Sequence, residues 1–288
     1  MHRSIESTFH FAKYLRAPKG NRVFVSDHDA RGLDRIPWGF RGYAPRVTSV
    51  KVGLCGASMA LTGYAQRFRL LEVQQTFYEP PREATLRRWR ATVPPEFEFT
   101  IKAWQLITHE AKSSTYRRLR TPLSAEERSE VGGFRWTPVV ARAWETTLSC
   151  AASLEATAIL LQCPASFRPT ELAIAGLREF LCRARRPAGV RLVWEPRGPW
   201  PDEVVRDLCE ELDLTHAADP FVRHSLTPTA YYRLHGITGA RHMYTDAQLE
   251  QLARTVDAGP AYVMFNNLAR AADAWRFSQL LRQEAGAR

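Results

Sequence analysis

Eight short apolar runs recur between residues 50 and 266, separated by segments with helical periodicity. The runs are Val50–Leu54, Leu70–Gln74, Glu98–Ala103, Ala158–Gln162, Arg191–Glu195, Leu214–Ala218, Ala230–Leu234 and Ala261–Asn266. Runs this short and this apolar read as strands buried on both faces, the pattern of a parallel sheet covered by helices. Helical spacing follows at Arg82–Ala91, where Leu86 and Trp89 stand at i and i+3. It recurs at Pro138–Leu154, where Val139, Ala143 and Leu148 flank Trp144, and at Glu171–Arg183, Pro201–Leu212, Asp246–Val256 and Ala269–Glu284. Pro201 ahead of Asp202 and Glu203 suits a helix first turn, and Thr245 ahead of Asp246 reads as an N-cap. Eight β/α units over residues 49–288 match one closed (β/α)8 barrel in number and length; a doubly wound open sheet is the alternative. Residues 1–48 lack sustained periodicity and are rich in Pro, Gly and aromatic residues, so an irregular or loosely docked extension is expected there. A long basic insertion, Glu110–Thr137, follows the third strand and is expected to form a lid over the strand ends.

Charged residues interrupt this apolar pattern two positions apart at the strand ends. Glu195 and Arg197 in Leu-Val-Trp-Glu-Pro-Arg, and Arg233 and His235 in Tyr-Tyr-Arg-Leu-His-Gly, each lie on one face of a strand. Burying an unpaired charge costs several kcal/mol or more, so such residues point to a shared polar pocket. Glu72, Lys102, His109, Gln162, Glu195, Arg197, Asp219, Arg233, His235, Asn266 and Asn267 all fall at or just beyond the C-terminal ends of the predicted strands. That is where barrel enzymes gather functional groups.

Composition narrows the classes. The net charge of +10 and a pI near 9.7 raise the case for a polyanionic partner. The densest basic stretches, Arg87-Arg88-Trp89-Arg90 and Arg183-Ala184-Arg185-Arg186, sit on or beside predicted helices, so solvated helix faces are the simpler reading. Five widely spaced cysteines, without a C-x-x-C or Cys/His cluster, argue against zinc and disulfide frameworks and fit a reducing cytoplasm. No apolar run reaches membrane-spanning length, and the first residues lack the apolar core of a secretory signal, so no membrane association is expected. No P-loop, G-x-G-x-x-G or G-x-S-x-G stands at a strand-to-helix turn, which argues against standard kinases, dehydrogenases and serine hydrolases.

A series of ordered motifs supports a closer assignment. They are Glu72-Val73-Gln74-Gln75-Thr76-Phe77-Tyr78, Phe99-Thr100-Ile101-Lys102-Ala103 with Thr108-His109, and Leu161-Gln162-Cys163-Pro164-Ala165-Ser166-Phe167. Trp194-Glu195-Pro196-Arg197-Gly198-Pro199-Trp200, Asp219-Pro220-Phe221, Tyr232-Arg233-Leu234-His235-Gly236 and Phe265-Asn266-Asn267 complete them. In this order they resemble the DUF72 (YecE-like) family, which implies a TIM barrel of unsettled function over about residues 50–285. The chain departs from the family pattern at the end of the first strand, which reads Gly53-Leu54-Cys55-Gly56-Ala57-Ser58 where a Gly-Trp-like pair is usual, at Gln74, where asparagine is common, and at Leu268, where many members carry a polar residue.

The residue types suggest acid/base chemistry of the hydrolase, lyase or isomerase kind on a small phosphorylated or carboxylated ligand. Arg197 and Arg233 suit a bidentate anion, with Gln162, Asp219, Asn266, Asn267 and His109 as further binding groups. Glu195, His235, Lys102 and Glu72 are the candidate catalytic groups. Lys102 is read either as the salt-bridge partner of Glu72 or Glu195, or as a desolvated general-base or Schiff-base lysine. Asp219 is read either as a loop cap ahead of Pro220 or as a carboxylate of the site. Trp104, Trp200, Tyr78 and Tyr244 are read as stacking groups or ordinary packing. Glu72, Glu195, Asp219 and His235 would suit a divalent metal, but Lys102, Arg197 and Arg233 would repel it, so no cofactor is expected and a metal is the minor alternative. A nucleic-acid-processing or nucleic-acid-binding barrel and a non-catalytic ligand-binding protein stand as the competing functions. Oligomeric state is not specified by the pattern.

Overall fold

The computed structural model describes residues 50–256 and 259–286; the sequence reading of residues 1–48 lies outside them. The order is β1 (Val50–Cys55), α1 (Leu61–Ala65), β2 (Leu70–Val73), α2 (Gln75–Tyr78), α3 (Glu83–Thr92), β3 (Glu98–Lys102) and α4 (Gln105–Thr108). It continues through α5 (Ala125–Glu130), α6 (Pro138–Leu154), β4 (Ala158–Gln162), α7 (Glu171–Arg183), β5 (Arg191–Glu195) and α8 (Asp202–Glu211). The last elements are β6 (Thr215–Ala218), β7 (Ala230–Leu234), α9 (Asp246–Val256), β8 (Ala261–Phe265) and α10 (Arg270–Gly286). All eight strands are parallel and pair in sequence order, and β1 closes on β8 with Val50 opposite Ala261 and Leu54 opposite Phe265. Every predicted strand is present to within one residue at either end.

The period of two along each strand divides the apolar residues between two cores. Leu70, Ala158, Leu160, Val193, Ala217, Tyr231 and Met264 fill the barrel interior. Their neighbours Leu71, Phe99, Ile101, Ile159, Leu161, Trp194, Leu234 and Val263 pack outward in the larger core shared with the helices. Two residues beyond the inward apolar set come Glu72, Lys102, Gln162, Glu195, Arg233 and Asn266. The polar residues at the strand ends are therefore the top layer of the barrel's own filling.

Local signals set the helix starts. Thr137 caps α6 by accepting from the Val140 amide, with Pro138 at the first helical position, and Thr170 caps α7 in the same way. Thr245 and Gln248 exchange side chain-to-amide hydrogen bonds at the start of α9, and Ser124 and Glu127 do so at α5. The sixth β/α unit departs from expectation, because β6 runs into β7 without a helix. Residues 219–229 contain Pro220, Pro228 and several Ser and Thr, which favour turns over helix. The loop is stitched to β6 instead: Leu226 N donates to His216 Nδ1 at 3.2 Å, His216 N donates to Thr227 Oγ1 at 3.1 Å, and Ser225 Oγ donates to the His216 carbonyl. Burial pushes the His216 pKa down to about 4, so its ring stays a neutral part of this stitch.

The insertion after β3 is anchored against the barrel top. Gly132 N donates to the Leu106 carbonyl at 2.7 Å and Phe134 N to that of Ile107 at 3.0 Å, while Val131 and Phe134 are fully buried. Tyr116, within the 3-10 turn Ser114–Arg118, donates to the His109 carbonyl at 2.7 Å. Gly132 has φ +83°, and a Cβ there would lie 2.5 Å from the backbone of His109 and Glu110. Gly132→Ala is therefore expected to lower stability by about 1–3 kcal/mol. Urea unfolding checks this, and an unchanged midpoint would mean that the insertion is not held by this close approach.

Candidate functional site

The mouth of the barrel is organised around Arg233, which is 1% exposed on β7. Its Nη2 donates to Glu72 Oε1 at 2.7 Å and its Nε to Glu72 Oε2 at 3.2 Å, a two-pronged contact that spans the barrel to β2. Its Nη1 donates to Glu195 Oε2 on β5 at 2.6 Å, and Nη2 also contacts Cys55 Sγ on β1 at 3.5 Å. Arg233 therefore has its guanidinium edges committed to protein acceptors, and the anion-binding role expected of it does not fit this geometry.

Residues that the sequence reading passed over complete this floor. The Tyr231 hydroxyl donates to Glu72 Oε2 at 2.8 Å, and with its proton so placed it accepts from Thr100 Oγ1 at 2.9 Å. Gln74 Nε2 donates to Glu72 Oε1. The departures at Cys55 and Gln74 thus both contact the Arg233–Glu72 pair. Tyr231 and Thr100 stand two residues before Arg233 and Lys102, so following the inward face one step further down each strand would have found them. Burial opposes ionisation of Glu72 and Glu195, yet the charge of Arg233 outweighs it. The Glu72 carboxyl lies below the usual range; that of Glu195, which also faces Arg197, lies well below it.

Above the floor, the groups are more open. Arg197 follows β5 with its side chain 38% exposed, and its Nε donates to Glu195 Oε1 at 2.8 Å. The His235 ring lies between three partners: Nε2 is 3.3 Å from Glu195 Oε1 and 2.8 Å from Arg197 Nη2, and Nδ1 is 3.0 Å from Asn266 Nδ2. With a proton on Nε2 the ring donates to Glu195 and accepts from Asn266 at Nδ1; without it, Nε2 accepts from Arg197. Both Asp219 oxygens are occupied by backbone, Oδ2 by His235 N at 2.9 Å and Oδ1 by Phe221 N at 3.1 Å. Asp219 is thereby a cap that positions His235.

Lys102 is the exception to this pairing. It is 6% exposed, the last residue of β3, and among the described residues it has no ion-pair or hydrogen-bond partner. Its ammonium lies 3.4 Å from the centroid of the Phe77 ring. Burial, reinforced by the charge of Arg233, lowers its pKa to about 7. The salt bridge to Glu72 or Glu195 does not form, because Arg233 already occupies both. His109 meets the Phe77 ring edge-on at 4.9 Å, and its Nδ1 lies 2.8 Å from Thr108 Oγ1. Burial and the neighbouring Lys102 push its pKa down to about 3, so it is a neutral wall group. Gln162 is buried on β4 opposite Glu195 in the register, with no side-chain partner among the described residues.

Other candidates belong to the scaffold. Asn267 is buried on the opposite parity to Asn266, and its amide donates to Asp273 Oδ2 at 2.6 Å and to the His242 carbonyl at 2.8 Å, which ties the end of β8 to α10. Trp200 stacks on Phe167 and donates to its carbonyl at 2.8 Å, while buried Tyr244 accepts from Gly236 N at 3.0 Å. Tyr78 lies under the Arg118 guanidinium. Trp104 is partly buried, and its Nε1 has no partner among the described residues. Among the described residues no cluster of His, Cys, Asp and Glu is arranged to hold a metal ion. The oxygens of Glu72 and Glu195 already accept from cationic or amide donors, a donor set that does not fit a cation.

Removing Arg233 would leave Glu72 buried without a counter-charge and Glu195 with Arg197 as its remaining arginine partner. Arg233→Met is expected to cost about 3–5 kcal/mol near neutral pH. In the intact protein the depressed carboxyls contribute stability above about pH 4.3, and this is lost as pH falls toward their folded values. In the variant the sign reverses at Glu72, because uncompensated burial raises its carboxyl and protonation relieves the penalty. Urea unfolding between about pH 2.5 and 8 should show the intact protein losing stability only below about pH 4.3, and the variant gaining stability as pH falls from 8 toward that value. Parallel slopes would contradict the ion pairing.

Comparison with known proteins agrees with this architecture. The family model described as "Protein of unknown function DUF72" matches residues 52–288. Among solved structures, a DUF72 family protein from Enterococcus faecalis superposes with a TM-score of 0.62 at 20% identity, covering 81% of this chain and 97% of that one. A DUF72 family protein from Thermotoga maritima gives 0.58 at 17% identity, covering 81% and 99%. A xylose isomerase-like TIM barrel/4-hydroxyphenylpyruvate dioxygenase fusion protein gives 0.51 at 12% identity, covering 82% of this chain and 43% of that one. These likenesses are in the fold. No curated protein matched in sequence. The match over residues 52–288, carried by an eight-stranded parallel barrel, shows that this chain belongs to the DUF72 family.

Proposed function

We propose that the barrel mouth binds a small carboxylated or phosphorylated substrate and performs acid/base chemistry on it. The observation that carries this reading is the cationic surplus left once Arg233 has taken both acids. Two carboxylates, Glu72 and Glu195, face two arginines, Arg233 and Arg197, and Lys102 has no acid of its own. Protonated Lys102 gives this set of five side chains one positive charge in excess, and an anionic ligand neutralises it; Asp219 stands outside the set, its oxygens turned to the backbone amides of His235 and Phe221. Arg197, held to Glu195 through Nε and to the His235 ring through Nη2, keeps Nη1 for the ligand.

His235 is the group best suited to move a proton. Its ring is partly exposed and held by Glu195, Arg197 and Asn266, so it exchanges a proton with little movement. Glu195 orients it; a carboxyl depressed by two arginines is a weak base. Asn266 and Gln162 offer neutral donors and acceptors for hydroxyl or carbonyl oxygens.

The nucleic-acid alternative draws less support. The helix arginines that inflate the net charge are mostly paired at the surface: Arg87 with Glu83, Arg183 with Glu179, Arg185 with Glu145 and Arg186 with Asp213. The loops after β1, β6, β7 and β8 expose Met59, Val222, Ile237, Met243 and Leu268, an apolar rim unsuited to a phosphate backbone.

Calorimetry against a panel of small carboxylates and phosphates tests the reading. At least one should bind, and Arg197→Ala should weaken it about 10- to 100-fold, the worth of a charge-assisted hydrogen bond, with the variant shown to be folded by its circular dichroism. If no member of the panel binds, or the variant binds as tightly as the intact protein, the mouth is not an anion site.

A further inference from the structure

Lys102 is more than a spare positive charge. Its strand places it on the inward face, two residues above Thr100, whose hydroxyl contacts Tyr231 across the barrel. The acids in reach are occupied by Arg233, so no carboxylate holds its proton. The Phe77 face at 3.4 Å and the His109 ring beyond it form an apolar wall on one side. Gln162, the last inward residue of the neighbouring strand β4, has an uncommitted amide among the described residues. The chain is also sparing with lysine: five of its 40 basic residues are Lys. An arginine at this position would keep the charge but offer no nucleophile.

We infer that Lys102 forms an imine with the carbonyl carbon of a small anionic aldehyde or ketone, so that the substrate class of the mouth is an oxo acid or a phosphorylated carbonyl compound. The inference rests on the proposed reading of the mouth as an anion site and adds the electrophile that the site acts on. Neutral Nζ adds its lone pair to the carbonyl carbon, and the carbonyl oxygen becomes the hydroxyl of a carbinolamine. Both hydrogens of the amine leave with that oxygen as water, and the C=N bond replaces C=O with no change in oxidation state. Protonation of the imine from solvent then makes an iminium, which draws electrons from the adjacent carbon and assists loss of a proton or cleavage of a bond there. Arg197 holds the anionic end, and the Gln162 amide hydrogen-bonds the carbinolamine hydroxyl. A lysine pKa lowered to about 7 by burial leaves a large share of the amine neutral at physiological pH.

Reductive trapping tests this on the full chain. The protein is incubated at pH 7 with sodium cyanoborohydride and glyoxylate or glycolaldehyde phosphate, with uncharged glycolaldehyde as control, then digested for peptide mass mapping. The expected product is a reduced adduct on Lys102, heavier by the mass of the probe less one oxygen. It should form at least about 10-fold faster than adducts on Lys51 and Lys112, which pair with Glu98 and Glu110 at the surface. Inorganic phosphate should slow it, and Lys102→Arg and Lys102→Met should abolish it. If both anionic probes label Lys102 no faster than Lys51 and Lys112 while phosphate still binds in calorimetry, the imine is overturned and the anion site stands. Selective labelling that neither phosphate nor Arg197→Ala slows overturns the oxo-acid assignment and the anion reading together.

Discussion

The arrangement of the site depends on one buried cation shared by two buried anions. Arg233 reaches from β7 to Glu72 on β2 and Glu195 on β5; it is the one cation paired with Glu72 among the described residues, and it shares Glu195 with Arg197. A guanidinium suits this task because its planar fork presents parallel donors to a carboxylate and remains charged in a dry interior. Once the triad forms, neither carboxylate is free to act as a strong base or to accept Lys102. The open valence of Glu195 Oε1 goes instead to Arg197 and His235, which carries the network outward to the partly exposed rim.

This hierarchy separates groups that build the site from groups that are available in it. Arg233, Glu72, Tyr231 and Thr100 are spent on one another. Asp219 fixes the backbone of His235, and Asn267 ties β8 to α10. Arg197, His235, Asn266, Gln162 and Lys102 keep unsatisfied or exchangeable contacts, and these five face the mouth. The chemistry proposed for the protein uses only this second set. The electrostatic consequence is that Lys102 bears the cost of Arg233: the same cation that stabilises the acids disfavours a proton on the neighbouring amine.

Much of this was legible in the sequence because strand period and barrel parity are local properties. The spacing of Leu70 to Glu72, Val193 to Glu195 and Tyr231 to Arg233 places each charge on the inward face before any pairing is known, and the ordered motifs pointed to the family that residues 52–288 match. Local pattern does not say which of three cations takes the two acids, since that depends on distances across the closed barrel. Arg197 and Arg233 therefore both read as anion-binding groups, and Lys102 as a partner of acids that Arg233 takes instead. The short helices Gln75–Tyr78 and Gln105–Thr108 span four residues each, too few to show a helical period. The missing helix after β6 was foreshadowed by Pro220, Ser225, Thr227 and Pro228, turn-forming residues that a count of eight equal units overrides.

The central claim is that Arg233 monopolises the buried acids and leaves Lys102 without one. Its most direct measure is the ionisation of the Lys102 side chain itself, followed by NMR of isotope-labelled lysine in a chain with only five lysines, and assigned with Lys102→Arg. The account expects the Lys102 resonance to titrate with a midpoint near 7. A midpoint at or above the ordinary lysine value of about 10.4 would mean that Lys102 has an acidic partner after all, and would contradict the division of charges on which the site is built.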